Sequence, residues 1–285
     1  MTIFSRSTAP AWRLFLFTAL TMLAFAANSL LCRFALRETA ITPAAFTSLR
    51  LASGAVTLLI LAGLLRLPLF RSGSLAGAAC LFVYAAGFSF AYVSMSAGIG
   101  ALLLFGSVQL MMIGAGFVRG ERLSLAQISG VMLAIAGLVL LLMPGLTTPP
   151  LTAALLMVIA GVAWGGYSLL GARGGGLAST ADNFIYTLPL TVALLLLSGG
   201  DMGALPADGV LFAVLSGSLA SGLGYALWYF VLPAYTSTQA ASLQLNVPVI
   251  TVFAGAVLLS ETLTVQVILA SAAIVGGIAL VIRYR

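Results

Sequence analysis

One pattern occurs twice in this chain of 285 residues, with the two copies about 140 positions apart. The segment Gly120-Glu121-Arg122-Leu123-Ser124-Leu125 corresponds to Ser260-Glu261-Thr262-Leu263-Thr264-Val265 in the second half. The same offset of 140 pairs Ala101 with Ala241 and Gly137 with Gly277. An offset of 139 pairs Ser29-Leu30-Leu31 with Ser168-Leu169-Leu170. Two related structural repeats are therefore predicted.

Apolar residues dominate both repeats. Hydrophobic residues make up 62% of the chain and charged residues 6%, and the mean hydropathy is +1.19. So little polar surface cannot cover a water-soluble domain of this size. Segments of about 18 or more apolar residues are long enough to cross the ~30 Å hydrocarbon layer as helices. They lie at 12–33, 44–65, 74–95, 99–118, 125–143, 151–172, 181–199, 208–232, 236–258 and 265–283. We expect a single all-α membrane domain over residues 1–285, with ten transmembrane helices.

Each repeat contains an odd number of these spans. The first repeat, residues 12–143, has five spans, and the second, residues 151–283, also has five, so the second repeat is inverted relative to the first. Inverted repeats are the signature of alternating-access transporters, whose substrate site lies near the midplane at the repeat interface. The architecture predicts a transporter of small molecules, surrounded by membrane lipid and functional as a monomer.

Arginine placement indicates the orientation. With the N-terminus in the cytoplasm, nine arginines fall on the cytoplasmic side and two, Arg33 and Arg37, on the outer side. The nine are Arg6, Arg13, Arg66, Arg71, Arg119, Arg122, Arg173, Arg283 and Arg285. This bias follows the positive-inside rule and predicts a bacterial inner-membrane protein with both termini cytoplasmic. It also accounts for the net charge of +6, so no nucleic-acid partner is inferred.

Residues for catalysis are scarce. The chain has no histidine and no lysine, and no base lies near either cysteine in the sequence. No acidic pair or ligand cluster suggests a metal ion, and no cofactor is predicted. We therefore expect that the protein is not an enzyme. An intramembrane enzyme and a lipid flippase remain alternatives from other classes.

Acidic residues are absent from the middle of the predicted spans. Asp182 is expected to begin the seventh helix, and Glu121 and Glu261 to lie at membrane surfaces beside a helix N-terminus. Proton-coupled pumps usually carry buried carboxylates or histidines. The sequence therefore predicts transport that is not driven by a proton gradient.

Four amide side chains interrupt three of the apolar spans. Asn28, Gln109, Gln244 and Asn246 must each meet a polar partner or a water-filled cavity. They either line a substrate cavity or hold helices together. Pro248 cannot bond to the Gln244 carbonyl, which predicts a kink in the ninth helix.

Arg50 lies inside the second predicted span, about six residues from its outer end. The side chain could extend outward to the membrane surface. It could equally provide a cation for a substrate carboxylate. The sequence leaves both interpretations open.

Aromatic residues form a second set of candidates. Phe88, Trp164, Tyr167 and Trp228 are predicted to contact substrate, although rings at such spacing are also typical of lipid-facing belts. Glycines 161, 165 and 166 surround Trp164 and Tyr167 and allow close approach of a ligand or a backbone.

Several of these features resemble the drug/metabolite transporter superfamily, in particular its ten-helix EamA-type exporters. They are the doubled five-helix unit, the paired Gly-Glu-Arg-Leu-Ser and Ser-Glu-Thr-Leu-Thr segments, Ala136-Gly137 and Gly276-Gly277 in the fifth and tenth helices, and Pro248. The segments Ala163-Trp164-Gly165-Gly166-Tyr167 and Ala226-Leu227-Trp228 are similar to aromatic positions of the bacterial aromatic amino acid exporters.

This resemblance implies export of neutral amino acids, aromatic or otherwise hydrophobic, and of related metabolites. A broad-specificity drug or metabolite exporter is the alternative within the same superfamily. The chain lacks the mid-membrane carboxylate on which the four-helix multidrug relatives depend. That difference counts against proton-driven efflux of cationic drugs.

Overall fold

The computed structural model describes residues 10–118, 120, 122–145, 148–171, 176–199, 205–235, 240 and 243–284. This part of the chain is helical and contains no strand. The helices are α1 (Ala11–Glu38), α2 (Pro43–Leu64), α3 (Leu75–Tyr92), α4 (Ala97–Val118), α5 (Leu125–Leu142), α6 (Leu151–Gly171), α7 (Gly176–Leu197), α8 (Ala207–Ala234), α9 (Asn246–Leu258) and α10 (Val265–Arg283). All but α9 are long and apolar enough to cross a membrane. The predicted all-α membrane fold is confirmed.

Most predicted helix ends lie within a few residues of the observed ones, and the capping box before α5 is confirmed. The Ser124 hydroxyl accepts the Gln127 backbone N–H (3.3 Å), and the Gln127 side chain accepts the Ser124 backbone N–H (2.8 Å). Arg6, Arg119, Glu121, Arg173 and Arg285, which were used to predict orientation or helix ends, lie outside the described residues.

Three helix boundaries differ from the prediction by five or more residues, among them the start of α7, which lies at Gly176 and not at residue 181. Helix α1 continues to Glu38, because Arg33 and Arg37 bond to carbonyl groups at the ends of other helices instead of ending the span. Helix α9 is described from Asn246 and not from residue 236. The helix is interrupted at Leu245, three residues before Pro248, which agrees with the predicted kink. Residues 236–239 and 241–242 of the predicted ninth helix lie outside the described part.

The predicted halves pack through helices that the sequence offset pairs. Helix α5 packs on α10, α2 packs on α7, and α4 packs on α9. The offset relates the packing of α3 on α6 to the packing of α8 on α1. A Cβ added to Gly137 would lie 3.0 Å from the Ala270 carbonyl oxygen, and one added to Gly277 would lie 2.5 Å from the Gly130 carbonyl oxygen. The offset of 140 exchanges these two contacts, as a local twofold axis requires.

One residue after α4 and its equivalent after α9 both have a positive φ. Gly120 has φ +90°, and Ser260, its partner at the 140 offset, has φ +51°. A positive φ is common for glycine and rare for serine, and here it follows the end of a helix in both cases. The two equivalent positions therefore both have a positive φ.

Close packing of α5 on α10 makes Gly277 sensitive to substitution. We expect Gly277→Ala to lower the melting temperature in detergent by about 5 °C, since an added methyl group overpacks the interface by about 1 to 3 kcal/mol. The matched control is Gly276→Ala, whose Cβ would have no neighbour within 4 Å. That variant gains helix propensity and should melt at or above the wild-type temperature. Equal melting temperatures for the two variants would contradict this packing.

Asp182 ties the start of α7 to the loop between α2 and α3. It was predicted to begin the seventh helix, but α7 starts at Gly176, and Asp182 is fully buried. One carboxylate oxygen accepts the Phe70 backbone N–H (2.6 Å), and the other accepts those of Arg71, Ser72 and Gly73 (3.2, 3.0 and 2.9 Å). The side chain is thus the polar centre of this loop.

Glu261, like Asp182, accepts backbone N–H groups, but it lies near the end of α3 instead of near its start. Its carboxylate accepts the backbone N–H groups of Ala97 (2.6 Å) and Gly98 (3.3 Å), which begin α4. Arg33 lies 3.9 Å from the same carboxylate and donates to the carbonyl groups of Tyr92 and Val93 at the end of α3. Glu261 therefore lies at a helix N-terminus, as predicted.

Candidate functional site

Three helices bring four aromatic rings together at the centre of the molecule. Trp164 of α6 stacks on Tyr225 of α8 (centroids 5.2 Å apart, planes at 21°) and on Tyr167 (5.4 Å, 29°). Tyr84 of α3 lies against the same indole ring, with the centroids 4.8 Å apart. Both predicted halves contribute rings to this cluster, because α3 belongs to the first half and α6 and α8 to the second.

A cavity lies beside this cluster. Its wall comes from α1, α3, α4, α6, α8 and the residues before α9. The lining residues are Phe25, Asn28, Ser29, Tyr84, Phe88, Leu104, Phe105, Trp164, Ala220, Ser221, Tyr225 and Gln244. The free space is about 20 Å³, enough for about one water molecule. A larger ligand therefore requires the wall to move.

A chain of hydrogen bonds crosses one side of the cavity. The Ser216 hydroxyl donates to Asn28 Oδ1 (2.7 Å), and Asn28 Nδ2 donates to the Tyr84 hydroxyl oxygen (3.1 Å). Arg50 Nη2 donates to the same hydroxyl oxygen (3.0 Å). These bonds connect α8, α1, α3 and α2, so the polar groups also fix the relative positions of four helices.

Helix α8 contains a π-helical turn at this point, over Ser216–Leu223. Such widened turns occur frequently at functional sites. Gly217 lies in the turn, and a Cβ there would overlap the Arg50 carbonyl and the Ser53 hydroxyl of α2. The missing side chain lets α8 contact α2 directly, which places Ser216 and Ser221 beside the cavity.

Arg50 is directed into the protein and does not reach the membrane surface. It is 2% exposed, and its guanidinium carbon lies 5.1 Å from the Tyr84 ring centre and 4.9 Å from that of Phe88. Both distances are typical of cation–π contacts. The interpretation that Arg50 extends outward is therefore wrong, because the two rings and the Tyr84 hydroxyl hold it inside.

Four of the eight predicted site residues meet at this cavity: Asn28, Phe88, Trp164 and Gln244. Tyr167 lies one layer behind Trp164, and its hydroxyl is 3.3 Å from that of Thr180. Trp228 packs against Phe25, with ring centroids 6.1 Å apart, and does not line the wall.

The two other predicted residues lie elsewhere. Gln109 is buried on α4 but outside the cavity wall. Asn246 is exposed, and its amide donates to the Leu243 carbonyl (2.9 Å) at the interrupted start of α9. Both were chosen because an amide inside an apolar span must meet a polar partner or a water-filled cavity, and Asn246 meets a backbone carbonyl group instead of the cavity.

Several cavity residues were not among the predicted ones. Tyr84, Ser221 and Tyr225 line the wall together with Phe25. The spacing indicated three of them, Tyr84, Ser221 and Tyr225. Tyr84 is four residues from Phe88, and Ser221 is four residues from Tyr225, so each pair shares one face of its helix. The sequence could not distinguish this inward-facing row from a lipid-facing one.

Known proteins resemble this chain over most of its length. The family model described as the EamA-like transporter family matches residues 151–283. An uncharacterised protein of Pseudomonas aeruginosa is 52% identical over 279 residues, which cover 97% of this chain and 96% of that protein. A Salmonella typhimurium protein named a probable amino-acid metabolite efflux pump is 28% identical over 199 residues, covering 65% of this chain and 67% of that protein.

A structural comparison agrees with the sequence matches. One solved crystal structure superimposes with a TM-score of 0.67 and covers 95% of this chain and 96% of its own, at 20% sequence identity. This likeness concerns the fold alone. The sequence matches and the apolar helices confirm the predicted family. The chain belongs to the EamA-like transporter family and is a multi-pass membrane transporter of the drug/metabolite transporter superfamily.

Proposed function

We propose that this transporter exports neutral aromatic or other hydrophobic amino acids and related metabolites from the cytoplasm. The supporting observation is the closed cavity of stacked rings, amides and hydroxyls between the two predicted halves. Aromatic rings bind an apolar body, while amides and hydroxyls orient a polar end. The name of the Salmonella typhimurium relative, an amino-acid metabolite efflux pump, supports the same substrate class.

The proposed mechanism is alternating access of the inverted halves, residues 12–143 and 151–283, in a monomer of the inner membrane with both termini cytoplasmic. The offset of 140 interchanges the close contacts at Gly137 and Gly277, which supports a twofold relation between the halves. Gln244 lies on the cavity wall at the interrupted start of α9, where rotation of a short helix segment could open the cavity. The chain needs no chemical step for this cycle, which fits a protein that is not an enzyme.

Counterflow into proteoliposomes tests the substrate class. The purified full chain is reconstituted, the vesicles are loaded with unlabelled phenylalanine, and uptake of labelled phenylalanine, leucine, glutamate, a sugar and a cationic dye is measured. We expect saturable exchange of phenylalanine and leucine at least tenfold above protein-free vesicles. Uptake confined to the dye would favour the broad-specificity exporter, and scrambling of labelled lipid alone would favour a flippase.

Loss of the Trp164 ring is expected to weaken substrate binding. Trp164→Ala removes stacking contacts that contribute about 0.5 to 1.5 kcal/mol beyond buried area, so the half-saturating phenylalanine concentration should rise about tenfold. The matched control is Trp12→Ala, since Trp12 is 61% exposed near the start of α1. Unchanged half-saturation for Trp164→Ala at wild-type expression would remove the cavity from the proposed function.

A further inference from the structure

Arg50 carries a buried charge that the described part of the protein does not balance. Its guanidinium remains protonated in essentially any protein environment. Nη2 bonds to the neutral Tyr84 hydroxyl, whereas Nε and Nη1 are buried and have no hydrogen-bond partner. A buried cation normally has an anionic partner, because desolvation is costly.

No described carboxylate supplies that partner. The two ion pairs found among the described residues join Arg33 to Glu261 and Arg37 to Glu38. Asp182 accepts backbone N–H groups of the α2–α3 loop, and Asp208 is exposed in the first turn of α8. Within the described chain, Arg50 is therefore a cation without a counter-ion.

The Tyr84 hydroxyl is a donor toward the cavity. Its oxygen accepts bonds from Arg50 Nη2 and Asn28 Nδ2, which occupy both lone pairs. Ser216 in turn donates to Asn28 Oδ1. The Tyr84 proton consequently has no acceptor in this network, and Tyr84 lines the cavity.

A second donor without a partner lies on the same wall. The Ser221 hydroxyl is buried, lines the cavity and makes no hydrogen bond. The buried polar atoms without a hydrogen-bond partner on or behind this wall are thus the Ser221 hydroxyl and two guanidinium nitrogens of Arg50. Such a set complements an anion that accepts several hydrogen bonds, and an ammonium group would be repelled by Arg50.

We propose that Arg50, Tyr84 and Ser221 form a subsite for the carboxylate of the transported substrate. The inference rests on the proposed function and deepens it, because it makes the carboxylate the obligatory polar group and the ammonium group dispensable. Arg50 contacts Tyr84 and Phe88, which line the cavity, and under this proposal the guanidinium meets the carboxylate when these rings move. The substrate then supplies the missing counter-ion.

The test compares ligands that share a phenyl ring and differ in charge. The melting temperature of the purified full chain is measured with phenylalanine, 3-phenylpropionate, phenethylamine and phosphate. The same compounds then compete with labelled phenylalanine in counterflow. We expect 3-phenylpropionate to compete within about tenfold of phenylalanine, and phenethylamine at least 30-fold more weakly.

Variants separate a binding role from a structural one. Arg50→Gln removes an unbalanced buried charge, so the unliganded variant should melt at or above the wild-type temperature and lose the shift with 3-phenylpropionate. Arg50→Lys should retain part of that shift, and Tyr84→Phe should weaken it. The control Arg71→Gln removes a charge from an exposed loop and should retain the full shift.

The outcomes separate this inference from the proposed function. If phenylalanine is not transported but 3-phenylpropionate still raises the melting temperature in an Arg50-dependent way, the carboxylate subsite stands and the substrate proposal is overturned. Equal competition by phenethylamine and 3-phenylpropionate would overturn the subsite while transport stands. An Arg50-dependent shift by phosphate as large as that by 3-phenylpropionate would assign the subsite to inorganic anions. A melting temperature of Arg50→Gln well below wild type, with the ligand shift retained, would make Arg50 structural.

Discussion

Asp182→Ala is expected to destabilise the protein by about 3 kcal/mol or more, because the loop between α2 and α3 loses its shared acceptor. One carboxylate accepts four backbone N–H groups from residues 70–73. Charge-assisted bonds of this kind contribute about 1.5 to 3 kcal/mol each, but the loop is partly exposed and water replaces some of them. Phe70 also loses the bond that holds its positive φ of 59°.

The measurement is unfolding of the purified protein in mixed micelles by increasing denaturing detergent. Asp182→Asn keeps one acceptor oxygen and should lie between wild type and Asp182→Ala. Asp208→Ala is the matched control, since Asp208 is exposed in the first turn of α8 and contributes less than about 1 kcal/mol there. Equal stabilities of Asp182→Ala and Asp208→Ala would show that the four bonds do not hold the loop.

Glu261→Ala is the second large effect that we expect, at about 2 to 3 kcal/mol of unfolding free energy. The carboxylate bonds to the first two N–H groups of α4, where the helix dipole favours negative charge. Its removal also leaves Arg33, whose side chain is 15% exposed, without a nearby anion. Helix α4 forms part of the cavity wall, so loosening its start is expected to reduce transport as well.

Glu38→Ala is the control for this prediction. Glu38 pairs with Arg37 at 3.1 Å, but both side chains are more than 40% exposed, and such a surface pair contributes about 0 to 1 kcal/mol. Glu261→Gln retains acceptor oxygen without charge and should recover part of the loss. If Glu261→Ala unfolds at the same detergent concentration as Glu38→Ala, the contact with α4 has no stabilising role.

Much of the fold could be predicted from the sequence. Membrane-length apolar segments gave the helices, and the Ser124–Gln127 spacing gave the start of α5, because both depend on residues close together in the chain. Asn28 and Gln244 could be chosen for the same reason, since an amide in an apolar helix must meet a polar partner or a cavity. The chain by itself thus determined the helices and a short set of candidate residues.

Only the tertiary structure decided which candidates meet. Arg50 could equally have reached the membrane surface, and its inward position depends on Tyr84 and Phe88, which are more than 30 residues away in the sequence. Asp182 was expected at a helix start, and its acceptor role depends on backbone groups 109 to 112 residues away. Helical periodicity shows which residues share a face of one helix. The partner of that face is set by packing between distant segments, which sequence spacing does not encode.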